Sequence, residues 1–66
     1  MAIHTVIEVI AQSDTSWEDA AQSAVKDAAK TVKNIKSIWI KNAEGVVQKN
    51  RIVAYRVNAH ITFEVQ

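Results

Sequence analysis

Residues 51–65 read RIVAYRVNAHITFEV, and the alternation in this stretch decides the architecture. The odd positions Val53, Tyr55, Val57, Ala59, Ile61, Phe63 and Val65 form an almost unbroken apolar face, and the even positions Arg56, Asn58, His60, Thr62 and Glu64 form a polar one. A period of two over such a length predicts a strand with one side on a core. Just before it, Lys49-Asn50 predicts a tight turn, because asparagine tolerates positive φ. A second strand is expected from about Ile35 to Gln48, so the two strands form an antiparallel hairpin. The lone glycine, Gly45, falls inside the second strand and predicts a bulge or a close backbone approach there. At its start, NIKSIWIKN (34–42) puts Ile38 and Ile40 on one face and Ser37, Trp39 and Lys41 on the other. A tryptophan thus stands on the side that otherwise reads as polar.

Upstream of the hairpin the period changes. Trp17, Ala20, Ala21, Ala24, Val25, Ala28, Ala29 and Val32 recur at helical spacing, which predicts a helix from about Trp17 to Lys33. Most of the stripe is alanine, so the helix can approach a sheet closely. Ser16 suits the N-cap, with Asp19 three residues on as a capping-box-like partner. Glu18 and Asp19 favour the positive end of the helix dipole and Lys30 and Lys33 the negative end. Asn34 is expected to close the helix in a left-handed conformation. Before the helix, the polar QSDTS has turn chemistry. Residues 2–11, AIHTVIEVIA, read as the first strand, with Ile3, Thr5, Ile7 and Val9 on one face and His4, Val6, Glu8 and Ile10 on the other. The order is β-α-β-β, an α+β domain spanning residues 1–66.

Composition excludes several classes of function. There is no cysteine, hence no disulfide framework and no thiolate metal site; a reduced, cytoplasmic setting fits. No apolar run approaches the ~20 residues of a membrane span, and the opening MAIHTVIEVI lacks the basic start of a signal peptide. The net charge is +1 with scattered basic residues, which gives no electrostatic footprint for nucleic acid. With a single glycine there is no phosphate-cradling loop, and no Ser/His/Asp or Cys/His constellation can be assembled, so no enzyme is expected.

Lengths argue that the chain does not stay alone. The expected helix is roughly 25 Å long at ~1.5 Å per residue, whereas either hairpin strand is roughly 45 Å long at ~3.3 Å per residue. One helix cannot cover the apolar face of both. Either the sheet curls tightly or neighbouring copies cover its ends, and two open sheet edges invite pairing. Trp17, at the start of the helix, reads either as a staple onto its own core or as a subunit contact. A closed homo-oligomer is expected.

The strand VIEVI (6–10), the helix TSWEDAAQSAVKDAAKTVKNI (15–35) and the closing strand AYRVNAHITFEV (54–65) together resemble the dodecins over essentially the whole chain. The resemblance implies a three-stranded antiparallel sheet wrapped around one helix, with twelve copies closing into a hollow shell. It implies a non-catalytic protein that binds or stores a small ligand, most often a flavin such as riboflavin or FMN stacked in pairs. Two residues carry the flavin site in that family, a tryptophan that stacks on the ring and a glutamine that bonds its edge. Those positions hold Ser37 and Arg56 here. Serine offers no π face, and arginine is donor-only with a fixed charge. The flavin site is therefore substituted, and flavin binding is expected to be weak or absent. Trp39, on the same side as Ser37, is a displaced platform for a flavin, packing that fills its space, or a contact with its own copy across a symmetry axis. Arg56 stacks on it or pairs with a carboxylate.

A related branch of the family binds calcium, which makes calcium the alternative ligand. Calcium takes about six to eight oxygens, and no single segment supplies them. A symmetry axis multiplies one carboxylate, so Glu8, Glu44 and Glu64, with Asn42 and Asn58, are the candidates. His4 and His60, read as lying on edge strands, could meet across a subunit boundary and hold zinc, although nothing supplies the remaining ligands.

Overall fold

The computed structural model describes residues 3–65. Four elements follow one another: β1 (Ile3–Ser13), α1 (Trp17–Ala28), β2 (Ile35–Gln48) and β3 (Arg51–Val65). They form an antiparallel sheet in the order β1-β3-β2 with the helix on one face. Ala2, the expected first residue of β1, lies outside the described residues. The two hairpin strands take their expected bounds, while β1 runs on to Ser13.

The longest alternating segment is the central strand. Across it Ile7 and Ile38 flank Ile61, Val9 and Ile40 flank Ala59, and Ala11 and Ala43 flank Val57. Ala20 and Ala24 of α1 close over this side, so that Ala20, Ala59 and Ile61 are 0% exposed and Val57 1%. Alanine on both the helix and the sheet permits the close approach. Burying a side chain such as Ile61 contributes about 1.5–3 kcal/mol.

The helix starts as its sequence dictates. Ser16 Oγ accepts from the Asp19 amide at 2.9 Å. The reciprocal half of the box is not made with Ser16. Asp19 Oδ2 instead accepts from Ser13 Oγ at 2.7 Å. Ser13 Oγ in turn accepts from the amides of Thr15 at 2.9 Å and Ser16 at 3.4 Å. Aspartate, shorter than glutamate, is satisfied by the last residue of β1, which ties the strand to the helix entry.

The helix end corrects the sequence reading. Regular helix stops at Ala28, five residues before Lys33, and the chain leaves through turns in which Lys30 donates to the Asp27 carbonyl at 3.2 Å and Thr31 to the Ala28 carbonyl at 3.1 Å. Asn34 does adopt the left-handed region, at φ 61°, but as the hinge into β2 rather than as the helix cap. Its carbonyl accepts from the Glu64 amide at 3.0 Å. Pairing β2 with β3 from Ile35 onward therefore requires the chain to turn away before the apolar stripe is used up.

Lys49 and Asn50 both have positive φ, 53° and 64°, and join Gln48 to Arg51 in a two-residue turn, as expected. The irregularities in β2 do not fall on Gly45, which pairs in register with Tyr55. They fall between Ile35 and Ser37, Ile40 and Asn42, and Val46 and Val47. A Cβ at Gly45 would meet only the Ile52 side chain, at 3.4 Å, an ordinary contact.

The protomer measures 51 × 20 × 13 Å. The observed helix spans roughly 18 Å at ~1.5 Å per residue, about a third of that long dimension. Val47 (60%), Ile52 (53%) and Val53 (41%) at the hairpin end consequently remain exposed.

Candidate functional site

The candidate residues gather on the face of the sheet turned away from α1. Register places them in rows across the strands. Gln12, Arg56 and Glu44 make one row, Ile10, Asn58 and Asn42 the next, then Glu8, His60 and Trp39, then Val6, Thr62 and Ser37, with His4 opposite Glu64 beyond. Successive rows lie roughly 7 Å apart, two residues along a strand.

Arg56 is held from both sides. Its Nε and Nη2 donate to Gln12 Oε1 at 3.1 and 2.9 Å, and its Nη1 donates to Glu44 Oε1 at 3.3 Å. The expectation that it pairs with a carboxylate is met. At this exposure the ion pair itself contributes only about 0–1 kcal/mol. Its consequence is orientation, since these three bonds point the guanidinium at its own protomer.

Trp39 is 64% exposed and meets the His60 ring edge-on, with centroids 5.3 Å apart. The tryptophan on the polar side thus has a histidine for a neighbour and stays largely exposed. Ser37, one row away opposite Thr62, adds no aromatic surface.

Glu8, Glu44 and Glu64 are not brought together. Each stands in a different row, with roughly 13 Å between the Glu8 and Glu44 rows and the same between the Glu8 and Glu64 rows, at ~3.3 Å per residue. Each faces a basic group: Glu8 Oε2 lies 3.7 Å from Lys41 Nζ and 3.4 Å from His60 Nε2, Glu44 pairs with Arg56, and Glu64 Oε2 lies 3.9 Å from His4 Nε2. Among the described residues no three metal-ligating side chains converge. The donor set of one protomer does not make a calcium cage. Asn58 and Asn42 sit side by side in their row, and Asn58 Oδ1 is buried without a hydrogen-bond partner.

The histidine reading needs correction. His60 is on the central strand, not on an edge, and each histidine faces a glutamate of its own protomer. The reason lies in a pattern that reading by single strands misses. HTVIE (4–8) and HITFE (60–64) carry the same His-x-x-x-Glu spacing. Antiparallel register then sets His4 against Glu64 and Glu8 against His60. The repeated spacing was the available signal.

On the helix side, Trp17 packs edge-on against Tyr55, centroids 4.7 Å apart, and its Nε1 donates to the Glu44 carbonyl at 3.0 Å. These are contacts within the protomer, as the staple reading requires. Among the described residues, no helix is long and apolar enough to cross a membrane.

Comparison with known proteins extends these observations. The calcium dodecin of Mycobacterium tuberculosis is 30% identical over 66 residues, covering all of this chain and 93% of that protein. Its crystal structure, described as having a novel calcium-binding site, matches with a TM-score of 0.83 at 30% identity over 97% of this chain and 91% of that one. An arginine-to-alanine variant of Thermus thermophilus dodecin matches with a TM-score of 0.93 at 21% identity, over all of this chain and 98% of that one. The dodecin of Streptomyces coelicolor gives 0.92 at 18%, over 98% and 93%. At such identities the last two speak for the fold alone. The dodecin family model itself matches residues 3–66, and the chain belongs to the dodecin family.

Proposed function

We propose that this chain is a non-catalytic, cytoplasmic small-ligand shell of twelve copies in which the usual flavin sandwich is disabled. The observation that carries this reading is the Arg56 clamp. Where the family pattern has a neutral amide for the ring edge, this chain has a guanidinium that donates three hydrogen bonds to Gln12 and Glu44. A flavin edge arriving there meets a fixed positive charge and no acceptor, and Ser37 supplies nothing to stack on.

Assembly is supported by what one protomer leaves uncovered. Among the described residues six apolar ones are buried, whereas Ile3, Val6, Ile10 and Trp39 are each more than half exposed. Both β1 and β2 are open edges. Beside β1 runs a groove of about 510 Å³ between Ile10 and Gln12 on the strand and Ala24 and Asp27 on the helix. A core this small is completed by neighbours.

Riboflavin titration followed by flavin and tryptophan fluorescence tests the reading, with native mass spectrometry giving the subunit number. The expected result is a colourless twelve-copy assembly without saturable micromolar flavin quenching. Installing Ser37→Trp together with Arg56→Gln is expected to raise riboflavin affinity. Saturable quenching by the parent protein through Trp39, or a folded single copy at micromolar concentration, overturns it.

Calcium is a second reading, favoured by the 30% identity to a calcium dodecin. It requires copies of Glu8, Glu44 or Glu64 to gather about a symmetry axis, because one protomer does not assemble them. A thermal midpoint that rises with calcium and falls with chelator supports it; no response to either removes it.

A further inference from the structure

We propose that His60 and Glu8 form a binding site for a divalent transition-metal ion of nitrogen and oxygen preference, with Zn²⁺ as the best fit. The site shares Glu8 with the calcium reading but differs in chemistry from both readings above, since flavin needs no imidazole and calcium takes oxygen donors only.

His60 Nε2 and Glu8 Oε2 lie 3.4 Å apart on directly opposed residues of β3 and β1. Zinc binds histidine nitrogen at about 2.0–2.1 Å and carboxylate oxygen at about 2.0–2.2 Å, and two such bonds at a tetrahedral angle set the donors about 3.4 Å apart. The pair thus already holds the bite of a tetrahedral ion, without rearrangement of the sheet. The related pair, His4 Nε2 and Glu64 Oε2, is 3.9 Å apart. With the same bond lengths that separation needs an angle of about 140°, so it is the poorer chelate.

The surroundings suit an ion that keeps water in its remaining positions. The Glu8 side chain is 52% exposed and that of His60 26%, so solvent reaches both donors. The His60 ring packs T-shaped against Trp39, and its Nε2 lies 3.4 Å from Glu8 Oε2. One group opposes the ion: Lys41 Nζ lies 3.7 Å from the same Glu8 oxygen. Lys41 therefore competes with the metal for Oε2, and removing it strengthens binding.

The assembled protein is titrated with Zn²⁺ by calorimetry and with Co²⁺ by tryptophan fluorescence. The Trp39–His60 contact makes a paramagnetic ion at the site quench Trp39. The expected results are saturable binding, a loss of at least about tenfold in affinity in both His60→Ala and Glu8→Gln, and a gain in Lys41→Ala. Trp39→Phe removes most of the Co²⁺ quenching while calorimetric binding persists, and His4→Ala leaves the site intact. Any calcium response survives His60→Ala, which separates failure of this site from failure of the calcium reading. The proposal is overturned if Zn²⁺ does not saturate, if folded His60→Ala and Glu8→Gln bind as the parent does, or if His4→Ala alone abolishes binding.

Discussion

Replacing Trp17 tests whether the start of the helix is anchored to its own sheet or to a neighbour. Trp17 is 39% exposed, so roughly six-tenths of its surface is hidden within the protomer. A tryptophan buries on the order of 200 Å² when fully covered; the hidden share is then about 120 Å², worth about 3 kcal/mol at ~25 cal/mol per Å². The edge-on contact with Tyr55 adds about 0.5–1.5 kcal/mol, and the bond to the Glu44 carbonyl about 0.5 kcal/mol at the surface. Measuring area against an extended chain overstates the first contribution by roughly 10–40%. The expected cost of Trp17→Ala is therefore about 3–5 kcal/mol. Trp17→Phe, which keeps a ring but loses the indole N–H and some area, costs about 1 kcal/mol on the same scales. Urea unfolding of parent and variants at matched protomer concentrations reads these costs, and native mass spectrometry reads the subunit number. An anchor within the protomer lowers stability and leaves the number unchanged. The reasoning is refuted if Trp17→Ala unfolds at the parental midpoint but breaks into smaller assemblies.

Three other substitutions probe the remaining joints. Ile61→Ala, at the largest fully buried side chain of β3, is expected to cost about 2–5 kcal/mol, and Ile61→Val only about 0.5–1.5 kcal/mol, both by denaturant unfolding. Ser13→Ala strips the acceptor of the Thr15 amide and the donor to Asp19; a loss of about 1–3 kcal/mol is expected, with Asp19→Asn showing a smaller loss in the same assay. Asn34→Gly is expected to keep the parental thermal midpoint and Asn34→Val to lower it, because φ 61° is open to glycine and strained for a β-branched residue.

Among the site residues, the side of the sheet was legible and the partners were not. Alternation alone put Ser37, Trp39, Arg56, Glu8 and Glu64 on the face away from the helix, where the structure has them. That Arg56 meets Gln12, that Trp39 meets His60, and that the three glutamates stand in separate rows all depend on which residue of one strand lies opposite which residue of another. A register shift of one residue would reassign every one of these pairs.

What this sequence determined by itself is everything that local periodicity and backbone chemistry encode. The apolar alternation of residues 51–65, the alanine stripe of the helix, the Ser16 cap, and the left-handed Asn34 and Lys49-Asn50 each follow from steric preferences acting within a few residues. Only the tertiary structure decided the central place of β3, the early end of the helix at Ala28, the register shifts of β2 at places other than Gly45, and the His-Glu rungs. These arise from hydrogen-bonded pairing between segments distant in the chain. Such pairing limits the helix beyond Ala28, because the chain must turn back in time to start the β2 ladder at Ile35.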